Sequence, residues 1–295
     1  MDDFRKALAE NARAVGETLD RLLKVGDGRE ARLMEAMRYS SLGGGKRIRP
    51  FMVWAGSRLF SVAQSCALRV GAAVEMVHCY SLIHDDLPAM DDDELRRGQP
   101  TCHIRFDEAT AILAGDALLT LAFEILADPK THPDPQVRCN LVTALAKASG
   151  GEGMVGGQML DLMAEETTLD MPEITRLQRM KTGALIAFSC EAGAILGKAA
   201  EPARHALRAY AHDLGLAFQI VDDLLDVEGT AEEVGKKTGK DQAAGKATFV
   251  SLLGVERARA QADILSRQAA QHLEMFDGKA DYLKALAKFV VNRKA

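Results

Sequence analysis

Apolar residues return every three or four positions through nearly the whole sequence, and the alternating β-branched runs that build sheets are missing. This spacing predicts an all-α protein with helices over residues 3–24, 29–40, 50–60, 65–87, 107–127, 135–149, 152–166, 173–198, 202–228, 247–273 and 280–292. The prolines at 50, 88, 100, 129, 133, 135, 172 and 202 fall at starts, ends or connections of these helices, where a missing N–H does little damage. No Gly-, Ser- or Pro-rich stretch is long enough to be a linker, and no solenoid repeat is present. Residues 1–295 are therefore expected to form one helical domain. Three polar segments interrupt the apolar rhythm: 41–49 (SLGGGKRIR), 85–98 (DDLPAMDDDELRRG) and 235–246 (GKKTGKDQAAGK). Function is to be sought beside them.

Composition narrows the class. With 47% hydrophobic and 27% charged residues the chain can fill a core, and its net charge of −5 argues against a general nucleic-acid binder. Cys66, Cys79, Cys102, Cys139 and Cys190 are scattered and form no CxxC, as expected of reduced thiols in a cytoplasmic protein. The first residues, MDDFRKALAE, are acidic where a secretory signal is basic and lack its apolar stretch, so export is not expected. The nearest approach to a membrane span is 184–197. It falls short of the ~20 residues a bilayer needs and contains Glu191, so it reads as a buried helix and no stable membrane insertion is expected.

Two carboxylate clusters carry the candidate chemistry. In the first, His78 and Asp85 are seven residues apart and lie about 20° from each other on a helix, with Ser81 between them. Pro88 then turns the chain, and Asp91, Asp92, Asp93 and Glu94 follow. A continuous helix would put Asp91 about 120° from Asp85, so bringing them together depends on that turn. In the second, Gln219, Asp222, Asp223 and Asp226 sit inside the apolar run AFQIVDDLLDV, with Asp222 and Asp226 on one face. Aspartates there are costly unless a cation meets them. Oxygen donors without Cys or His at ligand spacing suit Mg²⁺ completed by phosphates. A solvated loop remains the alternative for 91–94, and a satisfied core histidine the alternative for His78. The calcium-loop pattern D-x-[DN]-x-[DN]-G is not matched.

Basic groups accompany both clusters. Lys46, Arg47 and Arg49 follow three glycines and lead into a helix opened by Pro50, Arg96 and Arg97 follow the first cluster, and Lys236, Lys237, Lys240 and Lys246 follow the second. Such groups answer diphosphate oxygens. The loop is not a Walker A motif, because Arg47 stands where that motif has Ser or Thr.

Taken in order, GGGKRIRP, SLIHDDLPAMDDDELRRGQPTCH and FQIVDDLLDVEG resemble the short-chain trans-prenyltransferases, or polyprenyl diphosphate synthases, over almost the whole chain. The resemblance implies an isoprenoid-synthase helical bundle around a central active-site cavity, usually a homodimer. It implies three Mg²⁺ ions per active site, two on Asp85 and Asp91 supported by Asp86 and one on Asp222, with Asp223 and Asp226 less direct. Arg96, Lys181, Thr182, Gln219, Lys236 and Lys246 would meet an allylic diphosphate. Lys46, Arg49, His78 and Arg97 would form a metal-free pocket of cations for isopentenyl diphosphate. Catalysis would rest on Asp85, Asp86, Asp91, Asp222 and Lys181, with residues 235–245 and the basic C-terminus as lids.

The implied reaction is head-to-tail condensation of isopentenyl diphosphate with dimethylallyl and geranyl diphosphate. Tyr80, five positions before the first Asp, and the extra Pro88-Ala89 resemble bacterial members that stop at farnesyl diphosphate. Helical projection alone puts Tyr80 about 140° from Asp85 and does not aim it into the cavity. Geranyl or geranylgeranyl diphosphate is the alternative product. Squalene-type synthases and terpene cyclases share the implied fold without needing the Lys46, Arg49 and His78 pocket. A non-catalytic partner subunit is expected to have degraded Asp motifs, and both are intact here. A calcium- or nucleotide-binding module is the remaining alternative.

Overall fold

The computed structural model describes residues 1–164, 169–228 and 248–293. Helices α1 (Asp2–Leu22), α2 (Ala31–Leu42), α3 (Ile48–Leu59) and α4 (Gln64–Asp85) precede a small antiparallel hairpin, β1 (Leu95–Arg96) and β2 (Gln99–Pro100), in which Leu95 pairs with Pro100. Then come α5 (Cys102–Arg105), α6 (Glu108–Ala127), α7 (Pro135–Ser149), α8 (Met154–Met163) and α9 (Met171–Gln178). One π-helical turn, Arg179–Gly183, joins α9 to α10 (Ala184–Leu196), and α11 (Glu201–Glu228) follows. The described chain closes with α12 (Phe249–Leu253), α13 (Val255–His272), a 3₁₀ segment (Glu274–Ala280) and α14 (Asp281–Asn292). Among the described residues the structure is all-α apart from the two-residue strands β1 and β2.

Local chemistry sets many of these ends. Asp107 accepts from the Thr110 N–H to start α6, and Asp134 accepts from the Gln136 N–H with Pro135 in the first turn of α7. Asp170 and Glu173 form a reciprocal capping box on α9. Gly254, at φ +79°, splits the helix expected over 247–273 into α12 and α13. The hairpin and α5 are additions to the expected elements, being too short to leave a periodic trace.

α4 is the rod around which the rest is laid. Val70, Ala72, Ala73, Val74, Met76 and Val77 have no exposed surface, so the helix is enclosed on all sides, chiefly by α3 and α6. α11 packs along α13 and, with α10, forms the other wall. One apolar cluster joins α4, α6 and α7. A second joins α3, α10 and α14 around Phe51 and Tyr210, whose hydroxyl donates to the Leu283 carbonyl at 2.8 Å.

The expectation about membrane spans needs correction. Among the described residues α4 and α6, not 184–197, are long and apolar enough to cross a bilayer, with mean hydropathies of 1.3 and 1.7. α4 is a core helix. α6 buries a smaller share of its apolar window, 39% against 67%, and leaves Ile112 and Leu113 outside.

Candidate active site

The first carboxylate cluster is made where α4 ends. Asp85 is the last helical residue, and the chain folds back so that the Asp91 N–H donates to the Asp85 carbonyl at 2.9 Å and the Asp93 N–H to the Asp86 carbonyl at 3.2 Å. The turn therefore does what the sequence left open, bringing Asp91 back beside Asp85. Burial pushes the Asp85 carboxyl up to about 6, with Lys181 opposing the rise and Asp91 adding to it. Asp86 points the other way in chemistry: it is buried and gripped by Arg96, whose Nε lies 2.9 and 3.0 Å from its two oxygens. Burial raises its pKa, and that fork opposes the rise. Beside this pair lies a cavity of about 550 Å³ with Cys79, Leu82 and Ile83 on its apolar side and Arg96 and Arg97 on its polar side.

The second cluster lies on α11 and is tied to the π turn. Thr182 Oγ1 donates to Gln219 Oε1 at 3.3 Å, and Gln219 Nε2 donates to Asp223 Oδ1 at 3.0 Å. Asp223 is buried and also accepts from the Phe249 N–H at 3.0 Å, so one of its tasks is to fasten α12 to α11. Asp222 is half exposed and accepts from Arg293, whose guanidinium sits 3.9 Å from the Phe218 ring centre. Lys181, one residue before Thr182, donates to Asp161 Oδ2 at 2.8 Å and acts electrostatically on Asp85. A π turn adds a residue to the helical repeat and so re-aims side chains at a site. Here Lys181 meets Asp161 of α8 and Thr182 meets Gln219 of α11.

The glycine-rich loop supplies the third wall. Arg97 donates to the Gly44 carbonyl at 2.5 Å, and a side chain at Gly45 (φ +112°) would strike that guanidinium, so glycine permits the approach. Lys46 is exposed, and its pKa is lowered, first by partial desolvation, then by Arg293, with Asp222 opposing. Arg49 is lowered by burial, with Glu75 and Asp222 opposing, and its Nε is buried without a partner. The helix expected to open at Pro50 begins at Ile48, so Arg49 rides its first turn. Burial, reinforced by Arg49 and Arg97, pulls the His78 pKa well below the usual histidine value, which favours its neutral form over the cation expected of it.

Among the described residues no three His, Cys, Asp or Glu side chains close on one point tightly enough to cage a metal. The donors still fit Mg²⁺. That ion keeps waters and takes phosphate oxygens beside one or two carboxylates, and the desolvated Asp85 beside Asp91 is short of positive charge. Lys236, Lys237, Lys240, Lys246 and the proposed lid over 235–245 lie outside the described residues.

Two features here have no counterpart in the sequence reading, Asp161 on Lys181 and Gln158 with a buried and unpartnered amide, and Arg47, grouped there with Lys46 and Arg49 as a cation for diphosphate, is instead buried and paired with Glu75. The available signal was Gly156-Gly157, since a Cβ at Gly157 would stand 2.1 Å from the Lys181 nitrogen.

A profile of the polyprenyl synthetase family matches residues 30–286. The chain belongs to this family. It is 44% identical to the farnesyl diphosphate synthase of Escherichia coli strain K12 over 99% of both chains, and 42% identical to the chloroplastic geranylfarnesyl diphosphate synthase of Leucosceptrum canum over 99% of this chain and 80% of that one. Among solved structures it is similar to the apo FPP/GFPP synthase from Zymomonas mobilis, with TM-score 0.90, 51% identity, and coverage of 98% of this chain and 99% of that one.

Proposed function

We propose that the chain condenses isopentenyl diphosphate head-to-tail with dimethylallyl and then geranyl diphosphate, releasing diphosphate and forming farnesyl diphosphate. The observation that carries this reading is the likeness to farnesyl diphosphate synthases at 42–44% identity over nearly the whole chain, with Thr182, Gln219 and Asp223 joined by hydrogen bonds beside Asp222. Asp85, Asp91 and Asp222 would hold Mg²⁺, three ions in the loaded site. When bound, Mg²⁺ would neutralise the allylic diphosphate and make it a competent leaving group. Lys181, Thr182, Gln219 and Arg96, with Lys236 and Lys246, would orient that diphosphate and stabilise charge as the carbon–oxygen bond ionises. Lys46, Arg49 and Arg97, with neutral His78 as a hydrogen-bonding partner, would hold isopentenyl diphosphate so that its double bond attacks the allylic cation. The departing diphosphate then takes the proton lost from the new carbon skeleton.

The fifteen-carbon product is supported by relatives named farnesyl diphosphate synthase and by Tyr80, which is buried against His84 with ring centres 5.7 Å apart, just over one turn before Asp85. A longer product is favoured by the likeness to the FPP/GFPP synthase of Zymomonas mobilis and to a geranylgeranyl pyrophosphate synthase of Arabidopsis thaliana at 43% identity. The exposed Ile112 and Leu113 on α6 support a homodimer, and the five unpaired cysteines fit a reducing cytoplasm. Chromatography of the products from Mg²⁺, isopentenyl diphosphate and dimethylallyl diphosphate tests the reading. A fifteen-carbon diphosphate is expected, a longer product selects the second reading, and no condensation refutes both.

A further inference from the structure

Arg47 lies between two proposed diphosphate cations, Lys46 and Arg49, yet it faces away from solvent. Its Nη1 donates to Glu75 Oε1 at 2.6 Å, its Nη2 donates to the Ser41 carbonyl, and the two charged side chains are only 4% and 2% exposed. Its backbone is held in the left-handed region at φ +48° as the N-cap of α3. A non-glycine residue persists there only when its surroundings over-determine it. Glu75 stands one turn before His78 on α4, so the pair joins the loop that presents Lys46 and Arg49 to the helix that presents His78 and Asp85.

Burying two charges is costly, and well-packed apolar side chains in their place often leave a protein as stable or more so. Stability alone is a poor reason for the pair. We propose that Arg47 and Glu75 are positioning residues that set Lys46 and Arg49 for isopentenyl diphosphate, an inference that rests on the function proposed above. Neither side chain needs to touch substrate. Their work is to fix the exit angle of the glycine-rich loop and to supply a buried negative charge to Arg49, on which Glu75 acts first among its charged neighbours.

The test compares wild type with the double variant Arg47→Met/Glu75→Leu. Folding is followed by circular dichroism, isopentenyl diphosphate binding by calorimetry, and KM is measured separately for isopentenyl and geranyl diphosphate. A positioning role predicts an unchanged or raised Tm, a rise of about 10-fold or more in the Kd and KM for isopentenyl diphosphate, and a KM for geranyl diphosphate within about threefold of wild type. Arg47→Lys, which keeps the charge but loses the planar fork, carries the same expectation for the Kd and the two KM values, with a lowered Tm, should the double variant fail to fold. A folded variant with unchanged isopentenyl diphosphate binding, or with both KM values raised together, overturns the inference while the proposed function stands. Wild-type protein that binds no isopentenyl diphosphate overturns both.

Discussion

Replacing Gly157 by alanine puts one methyl group where α8 touches the π turn. The added carbon would stand 2.1 Å from the Lys181 nitrogen and 2.5 Å from its Cα, about 1 Å inside ordinary van der Waals contact, which begins near 3.4 Å. Both atoms are backbone, so no side chain can swing away, and either α8 or the π turn must shift by about an ångström. Overpacking of this kind costs about 1–3 kcal/mol of stability. A misplacement of about 1 Å in a group that orients substrate costs about 100-fold in rate. The expected result is a Tm lowered by several degrees, retained helical circular dichroism, and kcat lowered about 100-fold in a condensation assay with saturating substrates. A Cβ added at Gly16 in α1 would meet nothing within 4 Å. Gly16→Ala should therefore stabilise by about 0.5–1 kcal/mol and leave kcat unchanged. Wild-type turnover and Tm in Gly157→Ala would refute the claim that this contact sets Lys181.

Asp85→Ala and Asp222→Ala should each lower turnover by orders of magnitude while the far-ultraviolet spectrum stays helical, and near-normal rates in either would reject that residue's role. Tyr80→Ala should lengthen the products seen by chromatography, and an unaltered spectrum would count against Tyr80 as the limit on chain length. Asp107, hydrogen-bonded by Arg32 and by the Thr110 N–H, is depressed to about 2. Its stabilising effect on the start of α6 is full above the unfolded carboxylate value near ~3.9 and is lost as pH falls through about 2. The Tm difference between wild type and Asp107→Ala should shrink over that window, and a constant difference would contradict the assignment.

Most helices are legible in the sequence because their apolar faces repeat at helical spacing and because proline, aspartate and glycine mark their ends. The second Asp cluster is legible for a different reason, since carboxylates inside an apolar run need a cation, whereas the first depended on a turn after Pro88 that the sequence left open. What stays hidden is chemistry assembled across distance in sequence. Asp161 meets Lys181 from twenty positions away, and Glu75 meets Arg47 from twenty-eight. Neither spacing has a local signature. The position of His78 on its helix is visible in the sequence, whereas the burial and neighbouring arginines that favour its neutral form belong to the folded protein. The break at Gly254 escapes notice for the opposite reason, since a single glycine inside a helical pattern is usually tolerated.

The π turn between α9 and α10 has one more consequence. Such a turn is an α-helix that has gained a residue, so deleting one position among Arg179–Gly183 would restore an unbroken ladder of backbone hydrogen bonds. The shortened protein would lose none of its core, because no residue of the turn is buried and the flanking helices would keep their faces, and it would gain helical regularity while the side chains within the turn were re-aimed. Lys181 and Thr182 would no longer face their separate partners. A sturdier scaffold would thus be bought with the reaction itself, which makes this insertion a place where selection for stability and selection for turnover pull in opposite directions.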